Sequence, residues 1–125
     1  MGSTLKGKSA IVTGATSGIG NAIASTLAEE GCNITFNGFG VSEEIEAFRG
    51  NLSDRHNVDV FYDKCDLTDL KQISAMIANA VERFGQVDIL VNNAGIQHVS
   101  PIDEFPTEKF QRIIETNLAA PFYTI

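Results

Sequence analysis

The sequence predicts an α/β fold in which parallel strands alternate with helices on both faces of one sheet. Short apolar runs alternate with helical patterns four times along the 125 residues, and a glycine-rich turn separates the first run from the first helix. Hydrophobic residues make up 43% of the chain and charged residues 20%, as in globular proteins. Because alternation at this spacing requires helical crossovers, we expect parallel strands with right-handed connections.

The first half of the chain predicts two strands and two helices. Residues 8–13 form a short apolar run before the glycine-rich turn, as a buried strand does, and a helical pattern follows as far as Gly31. Residues 32–37 are the second predicted strand. A second helix begins at about Ser42, which we expect to cap it over the two following glutamates. The expected buried face of this helix is Ile45, Phe48 and Leu52.

The second half repeats the alternation. Residues 58–62 are the third predicted strand, and residues 68–84 carry the strongest helical pattern before Gly85. The apolar positions of that pattern are Leu70, Ile73, Met76, Ile77, Ala80, Val81 and Phe84. Residues 87–92 form a fourth strand whose apolar centre indicates cover on both faces. A last helix beyond Pro106 contains Phe110, Ile113, Ile114 and Leu118.

These elements predict a Rossmann-type doubly wound parallel sheet with strand order 3-2-1-4 in this chain. That order places a topological switch between the first and fourth strands. Ligands of open α/β sheets bind in the crevice at the carboxyl ends of the strands, beside such a switch. We therefore expect the functional site at that edge, within one domain over residues 1–125.

Charge and composition exclude several classes of function. The net charge is −7, and no segment carries the basic patch of a protein that binds nucleic acid or an anionic membrane. No apolar run is long enough to span a membrane, and residues 1–6 do not begin a signal peptide. Cys32 and Cys65 are unclustered, as free thiols in a reducing compartment are. We expect a cytoplasmic protein without a metal site.

The glycine-rich turn at residues 13–20 is the most informative motif. Binding a pyrophosphate there requires a sharp turn, close approach of the backbone, and free N–H groups at a helix N-terminus. Gly14 would permit the turn, Gly18 the approach, and Gly20 the close packing of helix on strand. A glycine-rich loop without a ligand is the alternative, and the position of this loop after the first strand disfavours it.

The motif Thr-Gly-x-x-x-Gly-x-Gly over residues 13–20 resembles that of the short-chain dehydrogenase/reductase family. Three further motifs of that family lie on the expected elements: Asp66 after the third strand, residues 92–95 (Asn-Asn-Ala-Gly) after the fourth, and Asn117 in the last helical region. Any one of these motifs is weak evidence, but four in register are strong evidence. The resemblance implies hydride transfer between a nicotinamide and a secondary alcohol or ketone.

The resemblance also implies roles for individual residues. In the turn, the pyrophosphate would be held by Gly14, Thr16, Ser17, Gly18, Ile19 and Gly20. Asp66 would accept a hydrogen bond from the adenine amino group, with Leu67 beside the ring. The adenosine ribose would be lined by Asn93, Ala94 and Gly95. The alternatives are a helix cap or solvated strand end for Asp66 and ordinary turn chemistry for the asparagines.

The expected cofactor is NAD. An NADP site has to neutralise a 2′-phosphate, usually with Arg or Lys. Ser17 stands where NADP-using relatives often have a base, and no Arg or Lys lies between strand two and Arg49. The acidic residue common in NAD sites is also missing, so Asn37 or backbone groups would replace it, with Phe39 packed near the adenosine.

The expected substrate is a small 3-hydroxy acid. Residues 37–40 and 93–109 resemble the D-3-hydroxybutyrate dehydrogenases of the family, in which a Gln at the position of Gln97 helps bind the substrate carboxylate. On position alone, Gln97 is more simply a polar loop residue. The family's catalytic residues are Ser, Tyr, Lys and Asn. Asn117 matches the Asn, but four residues after Tyr62 stands Asp66, so the Tyr-x-x-x-Lys pair is absent.

We therefore expect residues 1–125 to be the cofactor-binding half of such an enzyme, truncated before the later strands, marginally stable and inactive alone. The full-length form is expected to be a homo-oligomer, a dimer or a tetramer. Two alternatives stay open: a relative acting on another small hydroxy or keto substrate, and a non-catalytic NAD-binding module.

Overall fold

The computed structural model describes residues 4–125 and contains one four-stranded, fully parallel sheet in the order β3-β2-β1-β4. The strands are β1 (Ser9–Val12), β2 (Asn33–Phe36), β3 (Val60–Tyr62) and β4 (Ile89–Val91). The crossover helices are α1 (Gly18–Glu29), α2 (Ser42–His56) and α3 (Leu70–Phe84). The predicted fold class and strand order are confirmed. Residues 1–3, which belong to the segment expected not to be a signal peptide, lie outside the described residues.

The register of the strands aligns their carboxyl ends. Val12 pairs with Phe36 of β2 and with Val91 of β4, and Phe36 pairs in turn with Tyr62 of β3. These four residues are the last of their strands. The segments that follow the strands therefore leave the sheet side by side, which gathers residues far apart in sequence at one edge.

The sheet is packed on both faces, as a doubly wound fold requires. Successive residues of a strand point to opposite faces, so Ala10 and Val12 join the cluster beneath α1 and α2, while Ile11 joins the cluster on the other face. The first cluster is centred on Phe36, whose ring meets Phe48 edge to face with centroids 5.3 Å apart. The main members of the second cluster are Ile11, Cys65, Leu67, Ile73, Met76, Ala80 and Ala120.

Helix starts differ from the sequence prediction in two places. Ser42 is already the first residue of α2; Val41 occupies the cap position, and no side chain caps the helix, so the predicted Ser42 cap is wrong. The third helix begins at Leu70 rather than at 68, because the Asp69 side chain accepts from the backbone N–H groups of Lys71 and Gln72 and caps the helix there. Leu70 and Val81 lie exposed, since the apolar stripe of α3 is wider than its contact with the sheet.

The last helical region is divided. Helix α4 (Thr107–Ile114) continues into a π-helical segment (Glu115–Ala119) and then into a short helix, α5 (Ala120–Thr124). Small residues mediate its packing, with Thr116, Ala120 and Thr124 buried. The larger apolar side chains of the predicted helix lie outside: Phe110, Ile114 and Leu118 are exposed. Among residues 4–125, no helix is both long and apolar enough to cross a bilayer.

Candidate functional site

A cavity of about 270 Å³ lies where the four strand ends meet. It is lined by Gly14, Thr16, Ser17, Asn37, Gly38, Phe39, Cys65, Asp66, Leu67, Thr68, Asn93, Ala94, Gly95, Ile96, Arg112 and Thr116. These residues come from the turn after β1, the segments after the other three strands, and the α4–π region. The cavity therefore occupies the crevice predicted from the strand order.

The turn after β1 is built around Gly14. Its φ of 62° lies in the left-handed region, and a side chain there would place Cβ 2.7 Å from the Cα of Ala94. Gly14 thus permits both the bend and the contact between the turn and the segment after β4. Gly20 has a related role, because a Cβ there would collide with the carbonyl of Gly14 and the amide of Asn93. Helix α1 can therefore approach the turn closely.

The first turn of α1 presents N–H groups without a side-chain cap. Ser17 is the cap residue, yet its side chain makes no capping hydrogen bond, and no acidic residue lies in the first turn. Such an N-terminus carries partial positive charge and favours an anion. Thr16, also predicted to contact the pyrophosphate, donates its hydroxyl proton to the carbonyl of Phe39 at 2.6 Å. Its side chain thus holds the loop after β2 against the turn.

Asn37 is the internal link of the site. Its side chain is 2% exposed; Oδ1 accepts from the N–H of Gly14 and Nδ2 donates to the carbonyl of Cys65, both at 3.0 Å. The expectation that Asn37 or backbone groups replace the missing acid stays a prediction. Because both ends of the Asn37 amide already make hydrogen bonds within the protein, the alternative of backbone groups is favoured. In the loop after β2, Phe39 lines the cavity and lies 77% exposed.

Asp66 lines the cavity with one of its two carboxylate oxygens bonded to its own loop. Its Oδ1 accepts from the backbone N–H of Thr68 at 2.9 Å and from the Thr68 hydroxyl at 2.7 Å. These two bonds, with a smaller contribution from the charge of Arg112, lower the pKa of Asp66 below its usual value. Within residues 4–125 no hydrogen bond engages Oδ2. One carboxylate oxygen therefore stabilises the turn at Thr68, while the other can still accept a hydrogen bond.

Cys65 and Leu67 form an apolar wall beside Asp66. Both side chains are buried and belong to the hydrophobic cluster on the α3 face. Burial, helped by the charges of Asp63 and Asp66, raises the pKa of the Cys65 thiol to about 12. A thiol with such a pKa stays neutral at physiological pH and is a poor nucleophile. Cys65 therefore contributes packing, and its backbone carbonyl holds Asn37.

The segment after β4 is fastened to the turn. The Thr13 hydroxyl oxygen accepts from the N–H groups of Asn93 and Ala94 at 3.1 and 3.0 Å. The Asn93 side chain donates to the carbonyl of Gly14 at 3.0 Å. The Asn93 side chain is thus held by the turn, and residues 93–95 line the cavity.

Asn117 clamps the next residues of the same segment. Its Nδ2 donates to the carbonyl of Ile96 at 2.8 Å and its Oδ1 accepts from the N–H of Ile96 at 2.9 Å. Asn117 lies in the π-helical segment and does not line the cavity. Gln97 follows the clamped residue and is exposed, while His98 packs edge to face on Phe105 with centroids 5.3 Å apart.

The cavity gathers nine of the predicted site residues and leaves five outside. Those inside are Gly14, Thr16, Ser17, Phe39, Asp66, Leu67, Asn93, Ala94 and Gly95. Those outside are Gly18, Ile19, Gly20, Gln97 and Asn117. Sequence reasoning missed Arg112 and Thr116, which one helical turn separates on the α4–π region. Their spacing of four residues was the available signal, but nothing local indicated which face would meet the cavity.

A parallel sheet with an uncapped helix N-terminus and a glycine turn at its switch point is typical of Rossmann-type nucleotide-binding folds. Residues 8–125 match the family model described as short chain dehydrogenase, and the chain belongs to that family. It is 47% identical over 118 residues to a D-beta-hydroxybutyrate dehydrogenase from Rhizobium meliloti, covering 94% of this chain and 46% of that protein.

Other relatives have names that do not mention hydroxybutyrate. A 3-oxoacyl-[acyl-carrier-protein] reductase from Staphylococcus aureus is 40% identical over 118 residues, covering 94% of this chain and 48% of that protein. A blue fluorescent protein from a metagenomic library, solved in complex with NADPH, superposes with a TM-score of 0.91 at 33% identity, covering 97% of this chain and 49% of that one. The chain spans about half the length of the relatives it matches.

Proposed function

We propose that this chain binds NAD in the cavity at the strand ends and is the cofactor-binding half of an oxidoreductase. The reaction would be hydride transfer between the nicotinamide and the secondary alcohol or ketone of D-3-hydroxybutyrate and acetoacetate. One observation carries the proposal. Gly14 in the tight turn and Ser17, the residue at the uncapped start of α1, line the same cavity as Asp66, whose second carboxylate oxygen has no hydrogen bond within residues 4–125.

Each part of the dinucleotide has a matching group in this proposal. The turn at residues 14–20 would hold the pyrophosphate, with Ser17 and the first N–H groups of α1 as donors. Asp66 would accept from the adenine amino group while Leu67 lies against the ring. The backbone of residues 93–95 would line the ribose, and Phe39 would cover the adenosine from the loop after β2.

The choice of NAD rests on charge near the loop after β2. Ser17, Gly38 and Phe39 line this part of the cavity and carry no positive charge. A 2′-phosphate placed there would have no cation to replace its hydration, which is unfavourable. We expect NADH to bind at least about tenfold more tightly than NADPH. The reverse order, measured by fluorescence titration, would contradict the choice of NAD but not the dinucleotide site.

Asp66→Asn tests the adenine contact. The amide keeps an oxygen for Thr68 but replaces the free Oδ2 acceptor with an NH₂ donor, which cannot accept from the adenine amino group. We expect NADH affinity to fall about 10- to 100-fold, the cost of losing a hydrogen bond to a charged group. Reduced nicotinamide hypoxanthine dinucleotide carries a carbonyl in place of the amino group. The affinity of Asp66→Asn for this analogue should fall far less than its affinity for NADH, or should rise.

Asp63→Asn is the matched control for that change. Asp63 also follows β3 and accepts through Oδ1 from the N–H of Cys65 at 2.9 Å, but it does not line the cavity. This variant should bind both dinucleotides as the unaltered protein does. If Asp66→Asn lost the same affinity for both dinucleotides, the role of Asp66 would be only to stabilise the conformation of its loop.

The substrate proposal rests on likeness rather than on geometry. Its support is the name of the Rhizobium meliloti relative, with Gln97 as the proposed carboxylate donor and Asn117 as the proposed catalytic Asn. Residues 1–125 supply no Tyr-x-x-x-Lys pair, so we propose that these residues alone bind NAD without turnover. In the complete protein, NADH formation from D-3-hydroxybutyrate and not from the L isomer tests the substrate, and 3-oxoacyl thioester reduction tests the alternative suggested by the Staphylococcus aureus relative.

We also propose that the complete protein is a homo-oligomer that uses the outer face of α4 and α5. Four apolar side chains repeat there at every fourth residue and lie exposed: Phe110, Ile114, Leu118 and Phe122. An exposed apolar stripe of this kind favours association. Leu118→Glu should lower the apparent mass in sedimentation equilibrium, whereas Val99→Glu, at an exposed apolar residue away from the stripe, should leave it unchanged.

A further inference from the structure

Arg112 places a cation at the wall of the cavity. It lies on α4, is exposed, and shares the cavity with Asp66. These two side chains are the charged members of the lining. Among residues 4–125, the side chain of Arg112 makes neither a hydrogen bond nor an ion pair, whereas Arg49 is held by Glu46 and Arg83 by Asp59. Its guanidinium therefore remains available to a ligand.

Arg112 is brought to the cavity by the inner face of the α4–π region. It lines the same cavity of about 270 Å³ as Asp66 without forming an ion pair with it, and its charge is a minor contributor to the lowered pKa of that carboxyl. Thr116, four residues later, also lines the cavity, which shows that this face of the helical region is turned inwards. Arg112 thus shares with Asp66 and Leu67 the cavity in which the proposed function places the adenine.

We propose that Arg112 covers the adenine ring of the bound dinucleotide with the plane of its guanidinium. The guanidinium is flat, weakly hydrated and suited to stacking on aromatic faces. Leu67 would contact the ring from the protein side and Asp66 would bind its amino group, so Arg112 supplies the remaining cover. This inference rests on the proposed function and adds a residue that strengthens binding without choosing between NAD and NADP.

Two substitutions separate the plane of Arg112 from its charge. Arg112→Met keeps the length of the side chain and loses both properties, while Arg112→Lys keeps the charge and loses the plane. We expect the Kd of NADH to rise about tenfold in Arg112→Met. It should rise nearly as much in Arg112→Lys, because the ammonium group cannot cover the ring. ADP and NADPH should weaken by the same factor as NADH, since all three carry the adenine. Isothermal titration calorimetry on the purified protein measures these constants directly.

Lys109→Met is the control. It removes one positive charge from the same helix at a residue that does not line the cavity, and all three affinities should stay unchanged. Unaltered NADH binding in Arg112→Met would overturn the inference. So would a loss confined to NADPH, which indicates a contact with the 2′-phosphate, or full retention in Arg112→Lys, which indicates charge alone. If the unsubstituted protein bound neither dinucleotide nor ADP, the proposed function itself would fail, and this inference with it.

Discussion

Gly14→Ala is expected to destabilise the protein by about 3 kcal/mol and to weaken NADH binding about 100-fold. A non-glycine residue at φ 62° costs ~1–2 kcal/mol, and the new Cβ would also lie 2.7 Å from the backbone of Ala94. The turn has to shift to relieve that contact. A shift would misalign two or more N–H groups that donate to the pyrophosphate. A hydrogen bond to a charged group contributes about 1.5–3 kcal/mol to the binding free energy. Urea denaturation and NADH titration measure the two effects.

Gly7→Ala separates backbone strain from the collision. Gly7 has a similarly positive φ of 80°, but a Cβ there meets no atom within 4 Å. This variant should lose only ~1–2 kcal/mol of stability and keep its affinity for NADH. If the two alanine variants lost the same stability and bound equally well, the contact between Gly14 and Ala94 would have no energetic role.

Asn37→Asp is expected to cost about 3 kcal/mol at pH 7, because it replaces a buried donor with a buried carboxylate. The carbonyl of Cys65 would lose its hydrogen bond and face a negative charge instead. Burial raises the pKa of the introduced carboxyl, and the protonated form can donate to that carbonyl. The deficit should therefore be small below the unfolded pKa of about 4 and should grow as the pH rises through the folded pKa.

Asn33→Asp supplies the comparison for this pH dependence. The Asn33 side chain acts only as an acceptor, taking the N–H of Asp59 at 3.0 Å, and a carboxylate preserves that bond. Its stability should stay within about 0.5 kcal/mol of the unsubstituted protein from pH 4.5 to 8. A constant deficit in the free energy of unfolding of Asn37→Asp across the same range, measured by urea denaturation, would mean that folding does not raise the pKa of its carboxyl.

The order of elements could be predicted because its signals are local. The spacing of apolar residues in α3 and the glycines after β1 and α3 are visible within a few residues of sequence. The helix starts were harder, since Ser42 and Asp69 are both reasonable caps and only the path of the chain decides between capping and helical geometry. The π-helical segment at Glu115–Ala119 has no distinguishing pattern, because its residues also suit an α-helix.

The site was predicted where motifs determine the backbone and missed where a side chain finds a distant partner. Gly14 and Asp66 were identified from motifs, and both line the cavity. Asn37 was named together with backbone groups as a replacement for the missing acid, because an amide at a strand end can face either way. Its two partners, Gly14 and Cys65, become neighbours only when the sheet forms. Arg112 was missed for the same reason, since its distance from Asp66 is set by helix packing rather than by spacing.

The loop after β2 is held in place through its backbone carbonyls, so the side chain of Phe39 can be exchanged without loss of these hydrogen bonds. The Tyr62 hydroxyl donates to the carbonyl of Gly38 at 2.5 Å, and the Thr16 hydroxyl donates to the carbonyl of Phe39. Neither bond involves the Phe39 ring, which projects into solvent at the mouth of the cavity. Redesign of the protein towards a phosphorylated ribose can therefore start with a basic residue at this position, because the loop keeps its course whichever side chain it carries.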